Sequence, residues 1–458
     1  MGILGPMGYG CTNMEQARSR SGATGFRKVW AMREKVGFDI VPPDVMAMMG
    51  ILSDAGHGVW LVGGALRDHF LGQAPRDFDL ATDASADEVV RLFPRVIPIG
   101  IRHGTVQVHT RTRDVEVTST PGSGLEGILE DLGRRDFTIN ALALSYPEGS
   151  FLDPHGGCND ADARILRAVG DAGRRFREDP LRVLRVFRFV SELGLDVEPG
   201  TCAAARSEAN GLAAVAGERV REEVFRILSG GNAVSALRLM EESRVLRTVL
   251  PELHESGCSH AIDTMGRCPN RLRIRMAALL HGLVEEEASL GAVSPCGRCV
   301  SSRRAEEVMV RWRLSRRQIQ GVLGILENPL PGDSANWTDA DLRRFIARTG
   351  PEFAGDVLEL ARACRAAGGD SAGAEQLSGL YRRYRGEVEL RPVPRLRDLP
   401  ITGEDVMRIT GLKPGPRVGK ILERAHLEVI ENPFMNERKI LMDFIRKEFH
   451  KEAEIETS

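Results

Sequence analysis

Residues 59–80 read VWLVGGALRDHFLGQAPRDFDL, and the order of chemistry along them decides the fold. The apolar run Val59-Trp60-Leu61-Val62 predicts a buried strand that breaks at Gly63-Gly64. A helical segment follows from Ala65 to Leu71, with Gly72 placed as a C-cap. A second strand then carries Asp77-Phe78-Asp79. Residues two apart on a strand point the same way, so Asp77 and Asp79 share a side and Phe78 turns into the core. Two close carboxylates repel unless one is protonated or a cation lies between them. Mg²⁺ answers that need, because it takes one or two protein carboxylates and completes its shell with water and phosphate oxygens. Gly63 and Gly64 lack Cβ atoms, so their N–H groups can approach a phosphate, and the fork of Arg67 suits phosphate oxygens. Read singly, the glycines are a turn and Asp-x-Asp is a solvated edge. Read together, they predict a nucleoside-triphosphate pocket beside a metal-binding pair.

In this strand–turn–helix–strand order, residues 61–82 resemble the nucleotidyltransferase head of the tRNA CCA-adding enzyme and bacterial poly(A) polymerase family. The resemblance implies an α+β fold. A small mixed-sheet head, like that of DNA polymerase beta, is followed by an all-helical neck, body and tail. It implies template-independent nucleotide addition to a tRNA 3′ end, with CTP and ATP as substrates and Mg²⁺ as cofactor.

The next strands are read at residues 97–101 and 105–110, joined through Arg102-His103-Gly104, and then at 114–118. His103 is either a proton shuttle or turn chemistry. On the last strand Val115 and Val117 fill one face and Glu116 the other. Glu116 is therefore either a third carboxylate of the metal site or an edge-strand acid. Farther on, Arg134-Arg135-Asp136-Phe137-Thr138-Ile139-Asn140 resembles the family segment that links sheet to nucleotide pocket. Arg135 suits a phosphate. Asp136 suits an arginine or a ribose hydroxyl, and Asn140 a turn or the sugar. Arg134 is read as part of a salt-bridged helix start.

Residues 174–195 read RRFREDPLRVLRVFRFVSELGL. Glu178-Asp179-Pro180 marks a helix start. Asp179, Arg182, Arg185 and Arg188 recur every three residues and share a face. A surface salt-bridge ladder is the common meaning of such a face. Residues 164–188, however, hold eight arginines (164, 167, 174, 175, 177, 182, 185, 188) against the acids Asp171, Glu178 and Asp179. That excess calls for an anion such as a triphosphate or RNA backbone. Asp179 accepts and Arg182 donates, which matches the amino group and ring nitrogen shared by cytosine and adenine and mismatches guanine and uracil. Glu-Asp-x-x-Arg resembles the family's protein template, and by the same resemblance Arg185 and Arg188 hold the triphosphate or the far edge of the base.

The whole chain has 458 residues and a formal net charge of −2, so no global field advertises a nucleic-acid partner and any basic surface is local. No apolar run reaches the roughly 18 residues of a membrane helix. MGILGPMGYG is too short and glycine-rich for a signal sequence, which predicts a cytoplasmic protein whose eight cysteines are thiols. Cys296 and Cys299, with Cys258, His260 and Cys268 upstream, match no standard zinc module. Beyond Glu198 only helices are expected. His281 lies in a stretch resembling the His-Asp helix of metal phosphohydrolases, but Gly282 replaces the Asp, so His281 is read as structural and no phosphohydrolase activity is expected. Lys413, Arg417 and Lys420 sit in a Gly/Pro turn that opens a helix, and they suit RNA phosphates. Solvated side chains at a helix start are the alternative. Nothing in the sequence specifies a protein partner or a membrane.

The expected organisation is an extension over 1–40, the head over 41–170, a neck over 171–248, a body over 249–385 and a tRNA-binding tail over 386–458. Within the class, CCA addition competes with addition of CC only and with poly(A) tailing. By the resemblance, CC-adding members lack part of a loop that here spans only residues 119–129. A catalytically silent RNA-binding module is the reading from a different class.

Overall fold

The computed structural model describes residues 36–100, 104–256, 258–283, 302–328, 330, 334–390 and 396–456. Residues 1–35, Arg102, His103 and the Cys296/Cys299 pair lie outside them. In chain order the first elements are α1 (Pro43–Asp54), β1 (Val59–Val62), α2 (Gly64–Phe70), β2 (Asp79–Thr82), α3 (Ala86–Leu92), β3 (Val96–Gly100), β4 (Thr105–His109) and β5 (Asp114–Ser119). They continue with α4 (Gly124–Arg134), β6 (Ala143–Tyr146), β7 (Phe151–Leu152), α5 (Gly157–Asp162), β8 (Ile165–Leu166), α6 (Ala172–Glu178), α7 (Leu181–Leu193), β9 (Asp196–Val197), α8 (Pro199–Glu208) and α9 (Gly217–Ser229). All later elements among the described residues are helical, as the sequence predicts.

The chain divides into two units. The sheet unit holds the described residues up to Val62, with Phe78–Leu132 and Leu142–Pro154. The helical unit holds Gly63–Asp77, Gly133–Ala141 and the chain from His155 onward.

In the sheet unit, seven strands run in the order β3-β4-β5-β2-β1-β6-β7. Only β2 and β5 pair in parallel; the other neighbours are antiparallel. The mixed sheet expected from the sequence is therefore present, with β6 and β7 added. The register places Leu61, Leu80, Val117 and Val106 in one row across four strands, each at most 1% exposed. That row is the apolar side of the sheet, set by the strict alternation of β4 and β5. α3 starts at a capping box in which the Ser85 hydroxyl accepts from Glu88 N–H and the Glu88 carboxylate accepts from Ser85 N–H. α1 is tied to the β4–β5 turn through Asp44, whose Oδ2 accepts from Thr110 (2.8 Å), Thr112 (2.6 Å) and Arg113 (3.2 Å).

In the helical unit a continuous apolar core runs from Phe137 and Ile139 through α7 and α9 into the helices beyond residue 233. α7 ends at Gly194, whose φ of 63° is the left-handed cap that glycine accepts without strain. The stretch 233–248, which reads as one helix, is two, Ala233–Glu242 and Val245–Val249, because Arg244 takes φ 63° between them. The tail has its own small core, with Val406, Val418, Ala425, Val429 and Leu441 buried between helices Gly403–Thr410, Pro416–Glu431 and Arg438–Glu456.

Candidate active site

In the sheet unit the parallel register sets Asp79 of β2 directly beside Glu116 of β5. In-register neighbours project from the same side of a sheet and lie about 4.8 Å apart. Glu116 is exposed and Asp79 half-buried, while Val115 and Val117 occupy the opposite side. Gln107 of β4 continues the row beyond Glu116. Of the two readings of Glu116, the pairing favours a partner of Asp79: β5 is an inner strand between β4 and β2, not an edge.

Asp77 does not belong to the strand, contrary to the sequence reading, because β2 begins at Asp79. The reason is the end of β1. Val62 is the last residue to pair, with Asp79, and Gly63 then turns the chain with φ 72° and ψ −126°, a conformation open to glycine. Nothing of β1 remains to pair with Asp77. Phe78 is buried as expected, at 4% exposure, and Asp77 is exposed.

The helical unit gathers most of the remaining predicted residues around Phe189. Asp136 is buried, with its Oδ1 accepting from Phe137 N–H (2.8 Å) and Asn140 Nδ2 (3.0 Å) and its Oδ2 facing Arg185 Nη2 at 2.7 Å. Burial opposes its charge, but the Arg185 guanidinium, the Asn140 and Phe137 donors and Arg188 together hold its carboxyl below the usual range. Asn140 Oδ1 accepts from Arg67 Nη1 at 3.0 Å, and Arg67 also donates twice to Asp68 Oδ1. Arg67 lies back over the turn, with its Nη2 3.4 Å from where a Cβ on Gly64 would stand, an ordinary van der Waals distance. Arg135 donates to the Asn140 carbonyl at 3.2 Å. The guanidinium carbons of Arg67, Arg185 and Arg188 lie 5.3, 5.9 and 4.5 Å from the centre of the Phe189 ring. Three cations lie around this one ring, attracted by its quadrupole as well as by carboxylates.

Asp179 and Arg182 flank Pro180 at the start of α7, as the sequence predicts. Arg182 donates to the carbonyls of Arg134 (2.7 Å) and Arg175 (3.3 Å), which fixes its fork. Its partial burial lowers its pKa. Asp179 accepts from Leu181 N–H at 3.2 Å and pairs with Arg219 of α9 at 3.2 Å. Nothing in the sequence marks Arg219 for this role, since it lies forty residues from its partner with no motif around it. Phe189 was missed as well, because it reads as one more apolar residue of an amphipathic helix.

Arg188 leaves the shared face. It is 6% exposed and pairs with Glu223 of α9 at 2.9 and 3.1 Å. Lys413, Arg417 and Lys420 are exposed around the start of the helix Pro416–Glu431.

Three family models match along the chain: the poly(A) polymerase head domain over residues 59–167, the probable RNA and SrmB-binding site of polymerase A over 194–256, and a putative tRNA nucleotidyltransferase domain 2 over 294–445. A CCA-adding enzyme of Leuconostoc mesenteroides is 29% identical over 88% of this chain and 96% of its own. One from Geobacillus stearothermophilus is 30% identical over 87% of this chain and 95% of its own. The crystal structure of the Bacillus stearothermophilus CCA-adding enzyme in complex with CTP superposes with a TM-score of 0.72 at 30% identity, covering 90% of this chain and all of that one. With the likeness at 30% identity running over 90% of the chain, it belongs to the family of CCA-adding enzymes, tRNA nucleotidyltransferases with a poly(A) polymerase head.

Proposed function

We propose that this protein adds CCA to the 3′ end of tRNA from CTP and ATP without a nucleic-acid template. The observation that carries the reading is the register of β2 and β5, which sets Asp79 beside Glu116 on one side of the sheet. Two adjacent carboxylates with only oxygen donors suit a hard divalent cation. Asp77 and Asp79 would hold Mg²⁺, with Glu116 as the neighbouring third carboxylate. Two ions bound there would supply, one each, a lowered pKa for the attacking RNA hydroxyl and charge stabilisation for departing pyrophosphate.

The chain's own groups do the rest. Gly63 and Gly64 admit the phosphates to backbone N–H groups, and Arg67 and Arg135 neutralise them. Asn140 keeps Arg67 in place and Asp136 keeps Arg185 in place. Asp179 accepts from the exocyclic amino group of cytosine or adenine while Arg182 donates to the ring nitrogen. A guanine or uracil would leave both unpaired, which is how a polar site rejects a substrate. Arg185, half-buried beside Asp136, would hold the triphosphate or the far edge of the base, with Arg188 buried next to it against Glu223. Lys413, Arg417 and Lys420 contact the tRNA backbone, and tRNA maturation places the work in the cytoplasm. Among the described residues no helix is long and apolar enough to cross a membrane.

One observation favours a second reading, addition of CC only: residues 120–123 alone connect β5 to α4. The test separates the two. The protein and Mg²⁺ are incubated with tRNAs ending at the discriminator base, at C or at CC, each with labelled CTP or ATP. CCA addition is expected: C onto the first two and A onto the third. Incorporation of C with no A onto CC selects the second reading, long A tails select poly(A) work, and no incorporation leaves a silent RNA-binding module. Retention of incorporation by Asp77→Ala or Asp79→Ala removes the catalytic assignment.

A further inference from the structure

His260, His281 and Cys364 lie far along the chain from every residue assigned to nucleotide transfer. They come from three helices of the helical unit: His260 from Cys258–Arg267, His281 from the end of Leu272–Leu280, and Cys364 from Pro351–Ala367. One ligand atom from each lies within 4.8 Å of the others. His281 is 1% exposed and Cys364 fully buried. Cys364 is in no disulfide.

Two features separate this cluster from ordinary core packing. The Nε2 atoms of both His260 and His281 are buried without a hydrogen-bond partner. A buried polar atom without a partner is costly and calls for an explanation such as an ion. His281 also has its other ring nitrogen, Nδ1, on the Ala278 carbonyl at 2.5 Å. That contact fixes the proton on Nδ1 and leaves Nε2 as a lone pair, the arrangement by which second-shell carbonyls orient metal-bound histidines. The rings of His260 and His281 stand edge to face with centroids 5.3 Å apart, which keeps their ligand atoms close together. Tetrahedral zinc bonds of about 2.0–2.3 Å place ligand atoms about 3.3–3.6 Å apart, about an ångström tighter than the limit found here.

The donor set is two imidazoles and a thiol. It is softer than the oxygen-only set around Asp79 and selects zinc over magnesium. Gly282 stands where the His-Asp helix of a metal phosphohydrolase carries its carboxylate, and a Cβ there would lie 3.1 Å from both Ala261 Cβ and Leu253 Cδ1, a tight fit. We propose that His260, His281 and Cys364 bind a zinc-class divalent cation that pins three helices of the body together, with water in the fourth position. Binding forms one metal–thiolate and two metal–imidazole bonds and releases the Cys364 proton to solvent. His260 is half-exposed and marks the entry side.

The test uses the full chain, stripped with a chelator and titrated with Co²⁺ as a coloured stand-in for zinc. One equivalent is expected to give tetrahedral ligand-field bands with a thiolate-to-cobalt charge-transfer band, and Zn²⁺ is expected to bleach both and raise the melting temperature. Carboxylate sites give no thiolate band, so ions at Asp77 and Asp79 do not interfere. C364S and H281Q should lose the band, and C296S/C299S should keep it. The proposal is overturned if the wild type shows no thiolate band, if C364S keeps it, or if C296S/C299S loses it. Should C364S fail to fold, H281Q decides, since a thiolate band kept in folded H281Q also overturns the proposal.

Discussion

Arg188 and Glu223 meet inside the helical unit, each less than 9% exposed. Burial drives the arginine down to about 10 and the carboxyl of Glu223 up, so both partners move toward neutrality. Desolvation therefore outweighs their attraction, and the pair fixes position more than it adds stability. Glu223→Ala strands a buried guanidinium and should cost about 3 kcal/mol in urea unfolding, whereas Arg188→Met with Glu223→Leu should recover most of that loss. Arg182→Ala should leave the fold intact but narrow the preference for CTP over UTP by about 100-fold, read as the ratio of kcat/KM on a tRNA lacking CCA. Arg182 and Arg188 stand three and nine positions beyond Asp179 in one repeating pattern, which places them on one face. Their partners separate them: a carboxylate on α9 for Arg188, backbone carbonyls for Arg182. Periodicity names the face a residue starts from. The distant groups that fill that face decide where its side chain ends.

At the scale of elements, the tie between α1 and the β4–β5 turn carries a pH signature. Asp44 has a carboxyl of about 2 in place of 3.8, because hydrogen bonds from Thr112 and Thr110 and the charge of Arg113 outweigh its desolvation. A depressed folded pKa stabilises above the unfolded value and is lost as pH falls through the folded one. Asp44→Asn should therefore lower stability by about 1 kcal/mol at neutral pH, after allowance for solvent screening, and the gap should close between about pH 4 and pH 2. Melting curves of both proteins across that range check it. Nothing local announces this contact, since its partners lie more than sixty residues away. Strong periodicity or capping makes elements legible: residues 85–93, the start at Glu178-Asp179-Pro180 and residues 339–348 read as helices, and α3, α7 and the helix Asp339–Thr349 stand there. The strand β6 and the helix Cys258–Arg267 were not legible. The first is a four-residue stretch defined by its pairing with β1, and the second is rich in Ser, His, Thr and Gly, which are weak helix formers.

For the whole molecule, the tail packs around its own apolar residues while presenting Lys413, Arg417 and Lys420 to solvent. Replacing all three with alanine should raise KM for tRNA and leave KM for CTP unchanged. The slope of log KM against log salt should become shallower by about one for each phosphate contact removed. Unchanged salt dependence would assign the three side chains to solvent alone. A mixed sheet followed by a helical remainder was legible because two motifs anchor it, one at residues 61–82 and one at 178–188. The division into units was not, because residues 63–77 and 133–141 leave the sheet to join the helical core, and only packing reveals that exchange.

The pairing of Asp79 with Glu116 has a bearing on how this sequence can vary. Side chains on β5 alternate without a bulge, so losing or gaining one residue between Asp114 and Glu116 would send the carboxylate into the apolar row and bring a valine out in its place. Substitution can sample chemistry at every position of that strand. Its length is locked, and insertions or deletions in descendants of this chain are confined to the turns on either side.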